Sequence, residues 1–91
     1  MWIDPVRRVS ILYFAKMRET IGVDGEEIDL PDAVSEVAAL ADWLSARSPR
    51  HQAAFEDRSR IRCAIDQQMV RFDAAIDDAQ EIAFFPPVTG G

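Results

Sequence analysis

The sequence predicts an α+β domain in which one main helix packs across a mixed sheet of four or five strands. Three observations predict it. Runs of β-branched and aromatic residues occur near both ends of the chain, a long stretch between them has helical periodicity, and that stretch connects the strands. A helix between strands of one sheet usually packs on that sheet. A chain of 91 residues is long enough for one domain with a modest core.

The first predicted element is a strand at Val9–Ala15, "VSILYFA", because β-branched and aromatic residues favour an extended backbone. The next stretch, "KMRETIGVDG", predicts a helical turn that ends at Gly22, followed by a turn at Gly25. "EEIDLP", Glu26–Pro31, alternates polar and apolar residues and predicts a second strand. Since only about a dozen residues separate these strands, we expect them to pair antiparallel.

The main helix is predicted in "DAVSEVAALADWLSARS". We expect Asp32 or Ser35 to cap its start, with Glu36 in its first turn. Pro49 prevents a simple continuation of this helix and suits the first position of a short second helix in "PRHQAAFED". The apolar stripe that predicts the core-facing side of the main helix comprises Val34, Val37, Leu40, Ala41 and Leu44.

The second half of the chain predicts two or three more strands. "RIRCAID", Arg60–Asp66, and "MVRFD", Met69–Asp73, flank Gln67-Gln68 and indicate a hairpin, and "DDAQ" indicates a turn. "EIAFF", Glu81–Phe85, is the last predicted strand, ended by two prolines that cannot donate to a ladder. Together these elements predict an α+β roll of β-grasp type.

Composition limits the class of partner and the compartment. The net charge of -6 argues against nucleic acid or anionic lipid as the main partner and favours a partner with a basic docking surface. No stretch approaches the roughly 20 apolar residues of a membrane span, and the start "MWIDPVRR" has no signal-peptide pattern. The single cysteine, Cys63, excludes a disulfide framework. We therefore expect a cytoplasmic protein without a membrane segment.

The body of the chain predicts no active site of its own. It has neither the GxxxxGK[ST] motif that would bind ATP nor a Cys/His cluster with metal-ligand spacing, so we expect no bound cofactor or metal. His51 lies in a polar stretch and is expected in solvent, as are the acidic pairs Glu26–Glu27 and Asp77–Asp78. Cys63, in the middle of a predicted strand, is expected to be a small buried apolar residue rather than a nucleophile.

The ending "FFPPVTGG" predicts an extended arm with a reactive tip. Pro86 and Pro87 favour polyproline II, and Val88 and Thr89 favour an extended backbone. The pair Gly90–Gly91 carries no side chains and suits a channel too narrow for Cβ atoms. The terminal carboxylate is a poor electrophile until it is activated, typically as an acyl-adenylate. Because the chain has no ATP motif, the activating enzyme must be a partner.

Three stretches, "LYFAKMRE", "VRFD" and above all "EIAFFPPVTGG", resemble the MoaD family, the ubiquitin-like β-grasp sulfur carriers that form the small subunit of molybdopterin synthase. The resemblance covers Val9 to Gly91. It implies a β-grasp domain over residues 1–85, with residues 1–8 as an N-terminal extension, and a tail over residues 86–91. The family often has Asn at the position of Asp66, and Gly-Asp at that of Ala79-Gln80, where Asp77–Asp78 is expected to supply the turn instead.

The resemblance implies a mechanism that depends on other proteins. An E1-like enzyme of the MoeB type would use ATP to adenylate the Gly91 carboxylate, and a sulfur donor protein would convert it to a thiocarboxylate. The tail, Pro86 to Gly90, would then enter a MoaE-like large subunit, in a heterotetramer of two small and two large subunits. There the sulfur would attack the cyclic pterin precursor, and two rounds would build the dithiolene.

A partner interface is predicted beside the tail. Phe84 is expected in the core and Phe85 on the opposite face, where Leu12, Phe14 and Met69 would form an apolar patch. The family docks its large subunit through the positions of Phe14, Met69 and Phe85. Three alternatives stay open: a protein modifier conjugated through the terminal glycine, a sulfur carrier for another pathway such as thiamine synthesis, and an adaptor with an unreactive end.

Overall fold

The computed structural model describes residues 6–87, which form a five-stranded sheet with helices packed on one face. No helix in that range is long and apolar enough to cross a membrane. Residues 1–5 of the predicted extension and 88–91 of the predicted tail lie outside the described part. In chain order the elements are β1 (Val6–Tyr13), α1 (Lys16–Ile21), β2 (Gly25–Pro31), α2 (Val37–Ser45), α3 (Pro49–Ala54), a 3₁₀ turn (Arg58–Arg60), β3 (Arg62–Ile65), β4 (Gln68–Val70) and β5 (Glu81–Phe85).

The strands follow the order β2-β1-β5-β3-β4, so the last strand of the chain lies in the middle of the sheet. β1 pairs antiparallel with β2, as predicted, and parallel with β5, while β3 pairs antiparallel with both β5 and β4. The predicted mixed sheet is therefore confirmed. β1 begins at Val6, earlier than the predicted start at Val9, so Val6–Arg8 belong to the strand rather than to an extension.

The core lies between the sheet and the helices. Alternate residues of β1 point inward, so Val9, Ile11 and Tyr13 are at most 1% exposed. The predicted stripe of the main helix is confirmed, because Val37, Leu40, Ala41 and Leu44 are all fully buried and Val34 packs against the same core. Met17 and Ile21 of α1 join this core as well, so α2 shares the inner face with a second helix.

α2 begins at Val37, and the prediction that Asp32 or Ser35 caps it is wrong. The N–H groups of Val37 and Ala38 donate to the carbonyls of Ala74 and Phe72 at 3.1 and 2.9 Å. Backbone from the β4–β5 connection thus satisfies donors that a side-chain cap would otherwise satisfy. Glu36, the residue before α2, is extended and forms an antiparallel bridge with Ala75, and the Ile76 N–H donates to Ser35 O at 2.8 Å.

The β3–β4 hairpin turns at Asp66-Gln67, one residue earlier than predicted. Both residues have positive φ, 47° and 72°, as a two-residue hairpin turn of type I′ requires. The Asp66 carboxylate accepts hydrogen bonds from the N–H groups of Gln80 and Glu81 at 3.1 and 3.0 Å. This side chain therefore fastens the hairpin to the start of β5. The predicted turn at Asp77–Asp78 is present, with Asp77 at φ 50°.

The end of α1 and the start of α3 lie where the sequence predicts. α1 ends at Gly22, whose φ of 99° is a left-handed conformation that glycine adopts at little cost. Pro49 is the first residue of α3, and the Ser48 hydroxyl caps that helix by accepting from the His51 N–H at 3.2 Å. This cap fixes where His51 lies relative to the sheet.

Candidate functional site

The last strand holds the root of the tail at the centre of the sheet. β5 is bonded to β1 on one side and to β3 on the other. The ring of Phe84 is fully buried and meets the ring of Phe55 edge-on, with 5.0 Å between centroids. The prediction that Phe84 anchors this strand in the core is therefore confirmed.

Pro86 and Pro87 are half-buried and contribute to a groove of about 400 Å³ between the tail root, α1 and the end of α3. Met17, Thr20 and Ile61 line the same groove. The first two residues of the predicted arm thus lie against the body instead of standing clear of it. Val88, Thr89, Gly90 and Gly91, which include the predicted reactive carboxylate, lie outside the described residues.

The sheet face that points away from the helices carries a row of apolar neighbours. The register pairs Leu12 with Ala83, Ala83 with Ala64, and Ala64 with Met69. Side chains that are directly opposite on adjacent strands project from the same face of a sheet. These four side chains therefore form a continuous row across β1, β5, β3 and β4.

Two phenylalanines continue this row toward the tail. Phe85 lies two residues beyond Ala83 on β5, and the Phe14 N–H donates to the Phe84 carbonyl at 3.1 Å. Phe14 is 47% exposed and Met69 is 63% exposed, which is unusual for such large apolar side chains, whereas Leu12 and Phe85 are half-buried. We name these residues the outer patch: Leu12, Phe14, Ala64, Met69, Ala83 and Phe85. The structure places all three predicted interface residues in it, and their contact with a partner stays a prediction.

His51 and Glu26 were expected in solvent, and both expectations are wrong. Their side chains are only 12% and 20% exposed, and His51 Nε2 lies 2.7 Å from Glu26 Oε2. Glu26 is opposite Ile11 in the β1–β2 register, so it points toward the helices. The first turn of α3 then places His51 over it.

Three more side chains complete this inner polar cluster, which comprises Tyr13, Glu26, Arg47, Ser48 and His51. The Tyr13 hydroxyl donates to Glu26 Oε2 at 2.7 Å, and Arg47 Nη2 lies 3.4 Å from Glu26 Oε1. Ser48 Oγ lies 2.8 Å from His51 Nδ1. The cluster joins the paired strands β1 and β2 to the start of α3 by side-chain hydrogen bonds.

Burial and hydrogen bonding oppose each other at Glu26. Burial would raise the pKa of its carboxyl group, but hydrogen bonds from His51 and Tyr13 and the charge of Arg47 outweigh burial and lower this pKa. Burial raises the pKa of Tyr13 well above its ordinary value of 10.0, and the hydrogen bond to Glu26 raises it further. Glu26 is therefore ionised and Tyr13 protonated at neutral pH.

Cys63 is fully buried on β3, as predicted, and burial raises the pKa of its thiol to about 12. A thiol with this pKa is protonated at neutral pH, whereas the thiolate is the nucleophile. Cys63 is thus an apolar core residue. Between residues 6 and 87, no three His, Cys, Asp or Glu side chains are arranged to hold a metal ion.

The inward position of Glu26 and its contact with His51 were not predicted, although the sequence carries a signal for the first of these. Glu26 begins the alternation of "EEIDLP", in which Ile28 and Leu30 point inward, so period-two reasoning already places Glu26 on the inner face. Its partner His51 is 25 residues away, and only the packing of α3 on the sheet brings the two together.

Comparison with known proteins agrees with this geometry. The model of the ThiS family matches residues 11–91. A molybdopterin synthase sulfur carrier subunit of Escherichia coli is 41% identical over 85 residues, which is 91% of this chain and 99% of that relative. A Homo sapiens protein of the same name is 34% identical, covering 96% of this chain and 98% of its own length.

Solved structures confirm the fold. A Pyrococcus furiosus protein described as a candidate molybdopterin converting factor, subunit 1, superposes with a TM-score of 0.71 at 30% identity, over 90% of this chain and 99% of that one. The ubiquitin of Caldiarchaeum subterraneum superposes with a TM-score of 0.56 at 11% identity, over 96% and 100% of the two chains, and supports the fold alone. The predicted ubiquitin-like β-grasp is therefore confirmed, and the chain belongs to the ThiS/MoaD family.

Proposed function

We propose that this chain is the sulfur carrier subunit of molybdopterin synthase and works in molybdenum cofactor biosynthesis. One observation carries the proposal: the chain is 41% identical to a protein of that name over 99% of that protein's length. The ending "FFPPVTGG" begins with the last two residues of the central strand, β5, and supports the same conclusion.

The reactive group is the carboxylate of Gly91. A MoeB-like E1 enzyme uses ATP to convert it to an acyl-adenylate and releases pyrophosphate. Sulfur delivered by a donor protein then displaces AMP, which leaves a thiocarboxylate on Gly91. The thiocarboxylate sulfur bonds to the cyclic pterin precursor in the large subunit, and water then hydrolyses the acyl–sulfur bond, which leaves the sulfur on the precursor and restores the Gly91 carboxylate. This chain contributes the carried group and its positioning, and it binds no cofactor itself.

The fold supports this role because it gives the tail a firm root. β5 is bonded on both sides, and Phe84 at its end is fully buried. Pro86 and Pro87 are half-buried and line a groove together with residues of α1 and α3, so the arm starts from a defined place. Two glycines at the tip let the carboxylate enter a narrow channel in the partner.

The outer patch is the proposed docking face for a MoaE-like large subunit. Its six residues form one apolar surface next to the tail root, and Phe14 and Met69 are the most exposed of its large side chains. Contiguous exposed apolar surface typically marks a protein interface. Two small and two large subunits would form the complete enzyme, in the cytoplasm.

Mass spectrometry tests the proposal directly. After incubation with the activating enzyme, ATP and a sulfur source, the chain is expected to gain about 16 Da at Gly91, as sulfur replaces oxygen. Deleting Gly91, or adding one residue after it, should abolish both this species and cofactor synthesis. If no such species forms and the Gly91 deletion still supports cofactor synthesis, the proposal is wrong.

The alternatives predict different products. A protein modifier would form isopeptide adducts with lysines in cell lysates, and its deletion would leave molybdoenzymes active. A carrier for thiamine synthesis would form the thiocarboxylate, but its deletion would cause a thiamine requirement instead. SAMP1, the small archaeal modifier protein 1 of Haloferax volcanii, superposes with a TM-score of 0.69 at 25% identity, over 92% of this chain and 99% of that one, so the fold alone does not separate a protein modifier from a sulfur carrier.

A further inference from the structure

Three arginines surround an open cleft at the end of the sheet where the tail begins. Arg58, Arg62 and Arg71 line this cleft, which has a volume of about 410 Å³. Ile61, Val70 and Phe72 supply its apolar lining, and Asp73 is the one acidic residue in it. We name this feature the arginine cleft. It concentrates positive charge in a chain whose net charge is -6.

The hairpin topology brings these arginines together. Arg62 is the first residue of β3, and Arg71 directly follows the last residue of β4. Because Cys63 is opposite Val70, continuing the register places Arg62 opposite Arg71. Like charges directly opposite each other destabilise a sheet. Both arginines are exposed, so their charge at this end of the hairpin is accessible to a partner.

The carboxylates nearby leave much of this charge unneutralised. Arg58 Nη2 lies 2.7 Å from Asp42 Oδ1, and Arg71 Nε lies 3.9 Å from Asp73 Oδ1. The side chains of Asp42 and Asp73 are both largely exposed. Within residues 6–87, Arg62 forms no salt bridge, and its Nη1 donates to the carbonyls of Ser59 and Ile61 at 3.2 and 3.1 Å. Its guanidinium thus has donors free for another acceptor.

The arginine cleft is continuous with the outer patch. Arg62 is opposite Phe85 in the β3–β5 register, so the two side chains share the outer face. At the far end of that face, on β1 and β2, the acidic side chains of Glu27 and Asp29 lie beside Arg8. The face is therefore apolar in the middle, basic at the tail root and partly acidic at the other end.

We propose that the arginine cleft binds an acidic segment of the large subunit and so sets the orientation in which the tail enters it. This inference rests on the proposed function. Carboxylates next to an apolar contact would accept from the remaining donors of Arg62 and neutralise charge at Arg71. A polyanion such as nucleic acid fits less well, because the rest of the chain repels it. The net charge of -6 alone would predict a basic partner surface, whereas the arginine cleft calls for an acidic one at this end of the outer face.

Binding kinetics with the large subunit of the same organism test the proposal. Arg62→Glu and Arg71→Glu, measured by surface plasmon resonance at low salt, should each slow association, and together by about tenfold. The loss should shrink at high ionic strength, because salt screens exposed charges. Arg62→Lys should retain most of the wild-type rate, since it keeps the charge.

Arg50→Glu is the matched control, because Arg50 is an exposed residue of α3 and its reversal changes the net charge equally. If Arg50→Glu slows association as much as Arg62→Glu, or if the cleft variants bind like the wild type, the inference is wrong. Chemical shift changes at the cleft with inorganic phosphate, combined with unchanged association of the cleft variants, would also overturn it. Failure of the wild-type chain to bind the large subunit would instead count against the proposed function.

Discussion

The two faces of the sheet follow the same alternation and differ in what covers them. On the inner face, helices bury Ile11, Tyr13 and Phe84 almost completely. On the outer face, Phe14 and Met69 are about as apolar, yet they remain largely exposed. Apolar area that the helices bury stabilises the fold, whereas exposed apolar area stabilises a complex when a partner buries it. The inner face thus maintains the domain, and the outer face is available for assembly.

Neighbouring residues of one strand give the strongest test of this contrast. Phe84→Ala should lower the free energy of unfolding by about 3–5 kcal/mol, since it leaves a cavity against Phe55 in the core. Phe85→Ala, on the other face of the same strand, is the control and should cost clearly less. Urea denaturation followed by circular dichroism measures both. Equal losses would show that Phe85 contributes to the core as much as Phe84 does.

The inner polar cluster sharpens the contrast by a smaller, pH-dependent effect. The pKa of Glu26 is lower in the folded chain than in the unfolded chain, so the unfolded chain binds more protons as pH falls. The stabilisation is present above the unfolded value of about 4.3 and is lost as pH falls through the folded pKa. Glu26→Gln should therefore flatten the decline in melting temperature below about pH 4.3.

Thermal unfolding from pH 7 to pH 2 checks this prediction. Glu27→Gln is the control, because Glu27 is the adjacent residue and its side chain lies on the exposed outer face. A profile for Glu26→Gln that matches the wild type would mean that the cluster contributes nothing to acid stability.

The outer patch should show the smallest change in stability. Phe14→Ser is expected to lower the free energy of unfolding by only about 1 kcal/mol, because the residue is already 47% exposed. It should nevertheless weaken binding of the large subunit measurably, since it removes apolar contact area at the proposed interface. Titration calorimetry with the large subunit and parallel denaturation separate the two effects. A large loss of stability would assign Phe14 to the fold instead.

Local pattern predicted much of this molecule because local physics determines it. The alternation of Val9, Ile11 and Tyr13 and the helical spacing of Val37, Leu40 and Leu44 report directly which face is buried. Pro49 at the start of α3 and Gly22 at the end of α1 follow from fixed or permissive φ angles. These features require no knowledge of distant residues.

Features that depend on distant backbone were not predictable in the same way. The caps expected from Asp32 and Ser35 are absent because carbonyls of Phe72 and Ala74 satisfy the start of α2. The polar stretch around His51 predicts a solvent-exposed histidine, because no neighbouring residue in the sequence indicates its contact with Glu26. The arginines of the cleft are close in sequence, but only the hairpin register, in which Cys63 is opposite Val70, brings Arg62 and Arg71 to the same end of the hairpin.

The position of β5 also determines how the body resists a pull on the tail. A partner that grips the chain beyond Pro87 pulls on β5 from its C-terminal end. Hydrogen bonds to β1 and β3 flank this strand, so both ladders share the load in shear. An edge strand would instead peel away from a single neighbour. The central strand therefore resists such a pull better than an edge strand would, which suits the proposed function, in which two enzymes bind and release the chain in turn.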